Sequence, residues 1–253
     1  MCFKKWFKHQ TKPPIWPHSN RVALLFGINN YGGGHNLNGC LNDIALAASK
    51  LPNFQIRKFE DADVTRGNFI EQIAYALVNS VPGDVIYIHY SGHGTFVEDR
   101  NMDEVDGYDE ALYLIDGPLI DDDLNNCLRG TPEGVDVVLV LDSCYSGSAT
   151  RAPGKSRFMP PAFEMVPHLR VKRKFYDYMS WAVIGGCAEN QTSADAQFDG
   201  TYYGALSYFA LNNMGGNLAT WFKKIREFLP NREFDQSPTL EGNKTLIEKL
   251  VLT

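Results

Sequence analysis

Two stretches constrain this chain more than any others: DVIYIHYSGHG, residues 84–94, and DVVLVLDSCYSG, residues 136–147. Each is an unbroken run rich in Val, Ile, Leu and Tyr that stops in small, turn-forming residues. An apolar run without polar alternation predicts a strand covered on both faces, as in a parallel sheet between helix layers. Each run also delivers one reactive side chain at its carboxyl end, His93 between Gly92 and Gly94, and Cys144 just past Asp142. In parallel α/β sheets, chemistry gathers in the crevice beyond those ends. Two such strands side by side bring an imidazole and a thiol into one crevice, which is what a cysteine nucleophile and its base require.

The rest of the chain extends the same alternation. Residues 21–29 predict a first buried strand and residues 31–35 a glycine-rich loop. Residues 39–51 predict a helix with Leu41, Ile44, Ala45, Ala48 and Leu51 on one face. Residues 54–60 alternate and predict a strand nearer an edge. Residues 65–80 predict a helix capped by Thr65. An acidic insert, 98–110, reads as a loop. A short strand over 111–115, a helix over 121–128, a strand over 181–188, helices over 202–212 and 218–228, and a last strand over 237–240 complete the expectation. The fold class is α/β, with a mostly parallel central sheet flanked by helices.

A chain of 253 residues, 44% of them hydrophobic, has material for one large core, so a single domain is expected over 21–253. Residues 1–20 are expected to be a flexible leader. The segment 150–174, with four prolines and seven basic residues, is expected to be a long exposed loop. The net charge of −6 argues against a nucleic-acid partner, which needs a basic face. No apolar run approaches the roughly 20 residues of a membrane span. The leader has no apolar segment of the secretory kind, and Cys2 stands where myristoylation needs Gly. No stable membrane anchor is therefore expected. The five cysteines show no zinc-ligand spacing, which predicts reduced thiols in a cytoplasmic protein.

A free cysteine, with a pKa of about 8.5, needs a neighbouring base at neutral pH. Gly92 and Gly94 allow close approach of a peptide, and the Gly94 N–H is a candidate donor to a developing oxyanion. Asp142 lies two residues before Cys144, so a strand puts both on one face. Asp109, Asp121 and Asp122 offer the hard oxygens that calcium prefers, although an Asp run at a helix start is also an ordinary cap.

HYSGHG around His93 and DSCYSG around Cys144 together resemble the metacaspases, caspase-like cysteine peptidases. GCLND at 39–43, DGYDE at 106–110, LIDDDL at 119–124, GCAENQTSAD at 186–195 and QSP at 236–238 agree, so the resemblance spans about 21–240. It implies a caspase-like fold, and the short N-terminus, which departs from the many members with a recruitment prodomain or zinc finger, adds the expectation of a prodomain-less member. It implies His93 as general base and acid and Cys144 as nucleophile, and leaves His89 and His35 outside catalysis. It further implies an S1 pocket for the residue before the cut, formed by Cys40, Asp43, Ser91 and Asp142. Carboxylates there favour Arg or Lys in protein or peptide substrates. The resemblance also implies Ca2+ held by Asp109, Asp121 and Asp122 as a regulator, and a monomer. Tyr145 departs from the His many metacaspases carry after the nucleophile, and 148–151 lacks a carboxylate the family often has. The basic loop past Cys144 is a candidate for self-cleavage. A non-catalytic caspase-like binding module, and a cysteine hydrolase of another acyl bond, remain alternatives at this point.

Overall fold

The computed structural model describes residues 19–98, 108–144, 154–161, 180–187, 191 and 193–253. Its centre is a six-stranded sheet. The strands are β1 (Arg21–Gly27), β2 (Gln55–Glu60), β3 (Val85–Ser91), β7 (Asp136–Asp142), β9 (Trp181–Gly185) and β12 (Thr239–Gly242). Their order is β12-β9-β7-β3-β1-β2, all parallel except β12. β2 is an edge, as its alternation predicted. β3 is buried at all seven positions and β7 at six of seven, so these apolar runs do face helices on both sides.

Successive residues serve opposite layers. Leu24, Phe26, Ile86, Ile88, Val137 and Leu139 pack with α2 (Arg66–Val78) and α3 (Asp121–Leu128). Ala23, Leu25, Val85, Tyr87, Val138 and Val140 pack with α1 (Cys40–Lys50), α4 (Ala205–Asn212), α5 (Leu218–Phe228) and α6 (Lys244–Lys249). α2 begins where Thr65 accepts the Asn68 N–H at 3.2 Å, and it buries Phe69, Ile73 and Leu77. Truncating fully buried Ile73 to Ala removes about 2–5 kcal/mol, because the sheet it fills cannot collapse onto the gap.

Two small antiparallel sheets sit beyond the main one: β4 (His93–Glu98), β5 (Tyr108–Leu114) and β6 (Gly117–Ile120), and β8 (Lys155–Ser156), β10 (Ala194–Phe198) and β11 (Thr201–Gly204). They correct the expectation in several places. The strand ending in His93 stops at Ser91, and His93 opens β4. The insert 98–110 is not wholly a loop, since Glu98 closes β4 and Tyr108–Glu110 open β5. Residues 201–204 are strand, so the helix expected from 202 starts at Ala205. β6, β10 and α6 had no periodicity long enough to read.

Candidate active site

β3 and β7 end together, with Ser91 paired to Asp142. Past β3 the chain turns at Gly92 and places His93 over Tyr31, with ring centroids 4.5 Å apart. The His93 N–H donates to Tyr31 Oη at 2.8 Å, and its carbonyl accepts from Tyr90 Oη at 2.8 Å. Ring atom Nε2 lies 2.7 Å from the His35 carbonyl, which can only accept. Nε2 therefore carries the proton, and Nδ1, buried and without a hydrogen bond among the described residues, carries the lone pair. Burial lowers the imidazole pKa to about 4, against the carbonyls of His35 and Arg157, which favour the charged form.

Cys144, just past β7, is fully buried. The Ser193 N–H donates to its Sγ at 2.6 Å, and Sγ–H reaches the Ser193 carbonyl at 3.2 Å. Burial, and then the neighbouring Cys187 thiol, push Cys144 well above the usual thiol range. Among the described residues no hydrogen bond joins His93 to Cys144. Both instead adjoin one carbonyl, that of Arg157. The Gly94 and Cys144 N–H groups donate to that oxygen at 2.9 and 3.2 Å. Gly94 must be glycine, since a Cβ there would collide with the Cys144 carbonyl. A carbonyl held by two N–H donors beside an imidazole lone pair and a thiol is an arrangement suited to acyl transfer.

The Arg157 side chain fills an acidic pocket with no solvent exposure. Nη2 meets Asp43 Oδ2 at 2.8 Å and Asp195 Oδ1 at 3.1 Å, while Nη1 meets Ser91 Oγ at 2.7 Å and Asp142 Oδ2 at 3.3 Å. Ser91 in turn donates to Asp43 at 2.6 Å. Asp142 is further fixed by Ser193 Oγ at 2.5 Å and by the N–H and hydroxyl of Ser207 at 2.8 and 2.7 Å. Asp195 accepts the N–H groups of Asn38 and Gly39, both at 2.8 Å. Three carboxylates thus share one guanidinium. Burial pushes Asp43 up to about 7, Arg157 pulls it down, and Asp142 adds to the rise. Gly204 forms part of the wall, where a Cβ would strike Asp142 and Arg157. Cys40 lies buried with its thiol toward Ser91, and burial raises its pKa as well.

Arg157 arrives on an extended segment. Lys155 and Ser156 pair antiparallel with β10, the Arg157 N–H donates to Ser193 at 3.1 Å, and the Met159 N–H donates to Gly94 at 2.8 Å. This corrects the expectation of an exposed loop over 150–174. Gly154 to Ser156 are exposed, but Arg157 and Met159 are buried. Residues 150–153 and 162–174 of that loop, and Tyr145, lie outside the described residues.

The structure therefore gathers His93, Cys144, Gly94, Cys40, Asp43, Ser91 and Asp142 at one rim. Sequence reasoning missed Arg157, Asp195, Ser193, Tyr31 and the His35 carbonyl. Ser193 and Asp195 stood in a quoted motif without an assigned part, and backbone groups leave no trace in residue type. His89 is held between Tyr87 Oη and Ser207 Oγ, both at 3.1 Å, and burial lowers its pKa to about 4. Asp109 is buried in β5, and Asp121 and Asp122 open α3. Among the described residues, no three His, Cys, Asp or Glu side chains form a group able to hold a metal ion.

The family described as caspase domain matches residues 20–250. Metacaspase-3 of Trypanosoma brucei brucei is 30% identical, over 88% of this chain and 71% of its own. Metacaspase-1 of Schizosaccharomyces pombe is 28% identical, over 92% of this chain and 69% of its own. Among solved structures, a protein from Geobacter sulfurreducens superposes with a TM-score of 0.72 at 28% identity, over 92% of this chain and 98% of that one. Caspase-1 from Spodoptera frugiperda superposes at 0.59 and 12% identity, over 92% and 90%, a likeness of fold.

Proposed function

The chain belongs to the caspase domain family, and from that membership we propose an endopeptidase that cuts after Arg, and more weakly after Lys, and processes itself at Arg157–Phe158. The cysteine-peptidase class itself follows from the family and its metacaspase relatives. One observation carries the finer reading: Arg157 has its guanidinium among Asp43, Asp142 and Asp195 and its carbonyl oxygen between two N–H donors. That is how a substrate's P1 residue, the one before the cut, must sit. Arg is favoured because the pocket contacts both terminal nitrogens of a planar fork, which one ammonium cannot imitate.

The chemistry then proceeds from groups already in place. The Cys144 thiol rotates off Ser193, gives its proton to His93 Nδ1, and Sγ bonds to the Arg157 carbonyl carbon. The Gly94 and Cys144 N–H groups hold the oxyanion that forms. As the C–N bond breaks, His93 passes the proton to the Phe158 nitrogen, leaving a thioester on Cys144. Water attacks the thioester, His93 takes its proton, and the Arg157 carboxylate and free thiol are released. Cys144 is protonated while the segment covers it, so the proton moves to His93 during attack and not before.

Calcium belongs to this reading as a regulator. Asp109, Asp121 and Asp122 have the oxygen chemistry of a calcium site, but the described residues alone do not bring three such groups together. No catalytic step is routed through the ion, and activity unmoved by a chelator would remove it. The reading also holds the protein to be a monomer acting on proteins or peptides in the cytoplasm. Light scattering tests the first point.

The deciding experiment uses fluorogenic peptides with Arg, Lys or Asp before the coumarin, with Cys144→Ala as control. Arg peptides are expected to be cut fastest, and mass spectrometry is expected to find a new N-terminus at Phe158. Activity surviving in Cys144→Ala, or no turnover of Arg peptides, sinks the proposal and leaves a binding module.

A further inference from the structure

The seated segment does not stop at Arg157. Gly94 donates its N–H to the Arg157 carbonyl and accepts the Met159 N–H at 2.8 Å, so β4 takes the segment as a parallel neighbour across Phe158. Alternation along an extended chain sends the side chains of Phe158 and Met159 to opposite sides. The Phe158 ring stands 6.1 Å from that of Phe96, which is only 3% exposed, and Met159 is 7% exposed. The three residues ahead of Arg157 are exposed instead. After Arg157, Phe158 is half-buried, Met159 is buried and Pro160 is exposed again.

Resting on the reading that Arg157–Phe158 is a bond this site cuts, we infer that β4 carries an apolar leaving-group subsite, contacted through Phe96, that selects protein substrates with an aromatic or large aliphatic residue directly after the Arg. Two features make it selective. The backbone pairing with Gly94 fixes the register, so the residue after the cut cannot slide away from Phe96. Phe158 is half-buried there and faces the buried Phe96 ring, so an acidic residue in its place is partly desolvated against an apolar surface. Contacts of this kind last only until the C–N bond breaks. They therefore accelerate formation of the thioester and do not affect its hydrolysis. Hydrophobic contacts discriminate by about 10- to 200-fold, so the preference is graded.

The test uses wild-type enzyme and internally quenched peptides Gly-Lys-Ser-Arg-X-Met, with X as Phe, Leu, Gly or Asp and the cut located by mass spectrometry. Phe and Leu are expected to exceed Gly and Asp in kcat/KM by about tenfold or more. The Phe-to-Gly ratio is expected to fall toward one in Phe96→Ala and to take an intermediate value in Phe96→Val. The wild-type series decides the preference even where a variant does not fold. Equal rates across X, or a ratio unmoved by both substitutions, overturns the subsite and leaves Arg-directed cleavage standing. No cleavage after Arg in any peptide overturns the reading beneath it.

Discussion

Nη2 of Arg157 lies 2.8 Å from Oδ2 of Asp43, with both side chains shut off from water. A lone pair of this kind would hold the carboxylate ionised. Asp43 is nevertheless raised to about 7, because burial outweighs the guanidinium and Asp142 adds a second negative charge. The pocket is thus poised between one proton and one cation, which couples occupancy to pH.

The sign follows from the partners. Arg157 lowers the Asp43 pKa, so the pocket without a guanidinium titrates higher and holds more protons. A basic side chain entering the pocket expels a proton, and its binding strengthens as pH rises above about 7, the value Asp43 takes with the guanidinium seated. KM for Arg peptides is expected to be level below about pH 7 and to fall above it. Asp43→Asn is expected to flatten that slope and to weaken Arg peptides, since losing one partner of a buried charge pair costs about 2–5 kcal/mol, or roughly 30- to 4,000-fold. A KM independent of pH in the parent enzyme would refute the coupling.

Removing the guanidinium tests the same pocket from the other side. Arg157→Gln leaves Asp43, Asp142 and Asp195 buried with no cation among them. Breaking such a set costs about 3–5 kcal/mol. The deficit is expected to be large at pH 8 and to shrink at pH 5, as Asp43 takes a proton. Urea unfolding of the Arg157→Gln/Cys144→Ala protein against Cys144→Ala alone measures it without self-cleavage. Equal midpoints at pH 8 would mean that the segment does not occupy the pocket in solution.

The main sheet was legible because β1, β3 and β7 are continuous apolar runs, and buried parallel strands have no polar face to confuse the pattern. The rim residues were legible because glycine and serine surround His93 and Cys144. Arg157 was not. An arginine in a proline-rich basic stretch reads as solvated, since burying it requires carboxylates, and these come from three separate elements, α1, β7 and β10, 114, 15 and 38 residues away. Asp195 was hidden similarly, because its partners Asn38 and Gly39 lie more than 150 residues away. β4 and β6 are short, and their pairing is set by neighbours more than by periodicity.

Tyr31 is expected to act by holding His93 in place. Its Oη accepts the His93 N–H at 2.8 Å while its ring lies against the imidazole. Tyr31→Phe keeps the ring and strands that buried N–H, a loss of about 1–3 kcal/mol, or roughly 5- to 150-fold. The loss should appear in kcat with KM for Arg peptides unchanged, because the acidic pocket is untouched. A variant that raises KM alone, or neither constant, would show that the contact does not position the base.

The tautomer of His93 can be read directly. With the segment seated, burial disfavours the imidazolium and lowers the pKa to about 4, so the ring is neutral throughout the ordinary range of pH. The His35 carbonyl fixes the proton on Nε2 and leaves Nδ1 as the accepting atom. Long-range proton–nitrogen NMR on uncut Cys144→Ala protein is expected to show His93 protonated at Nε2 and not titrating between pH 8 and 5. An Nδ1–H tautomer would remove the base from the attack just described. A His93 titration near the ordinary value of about 6.5 would mean that the segment leaves the site open to water.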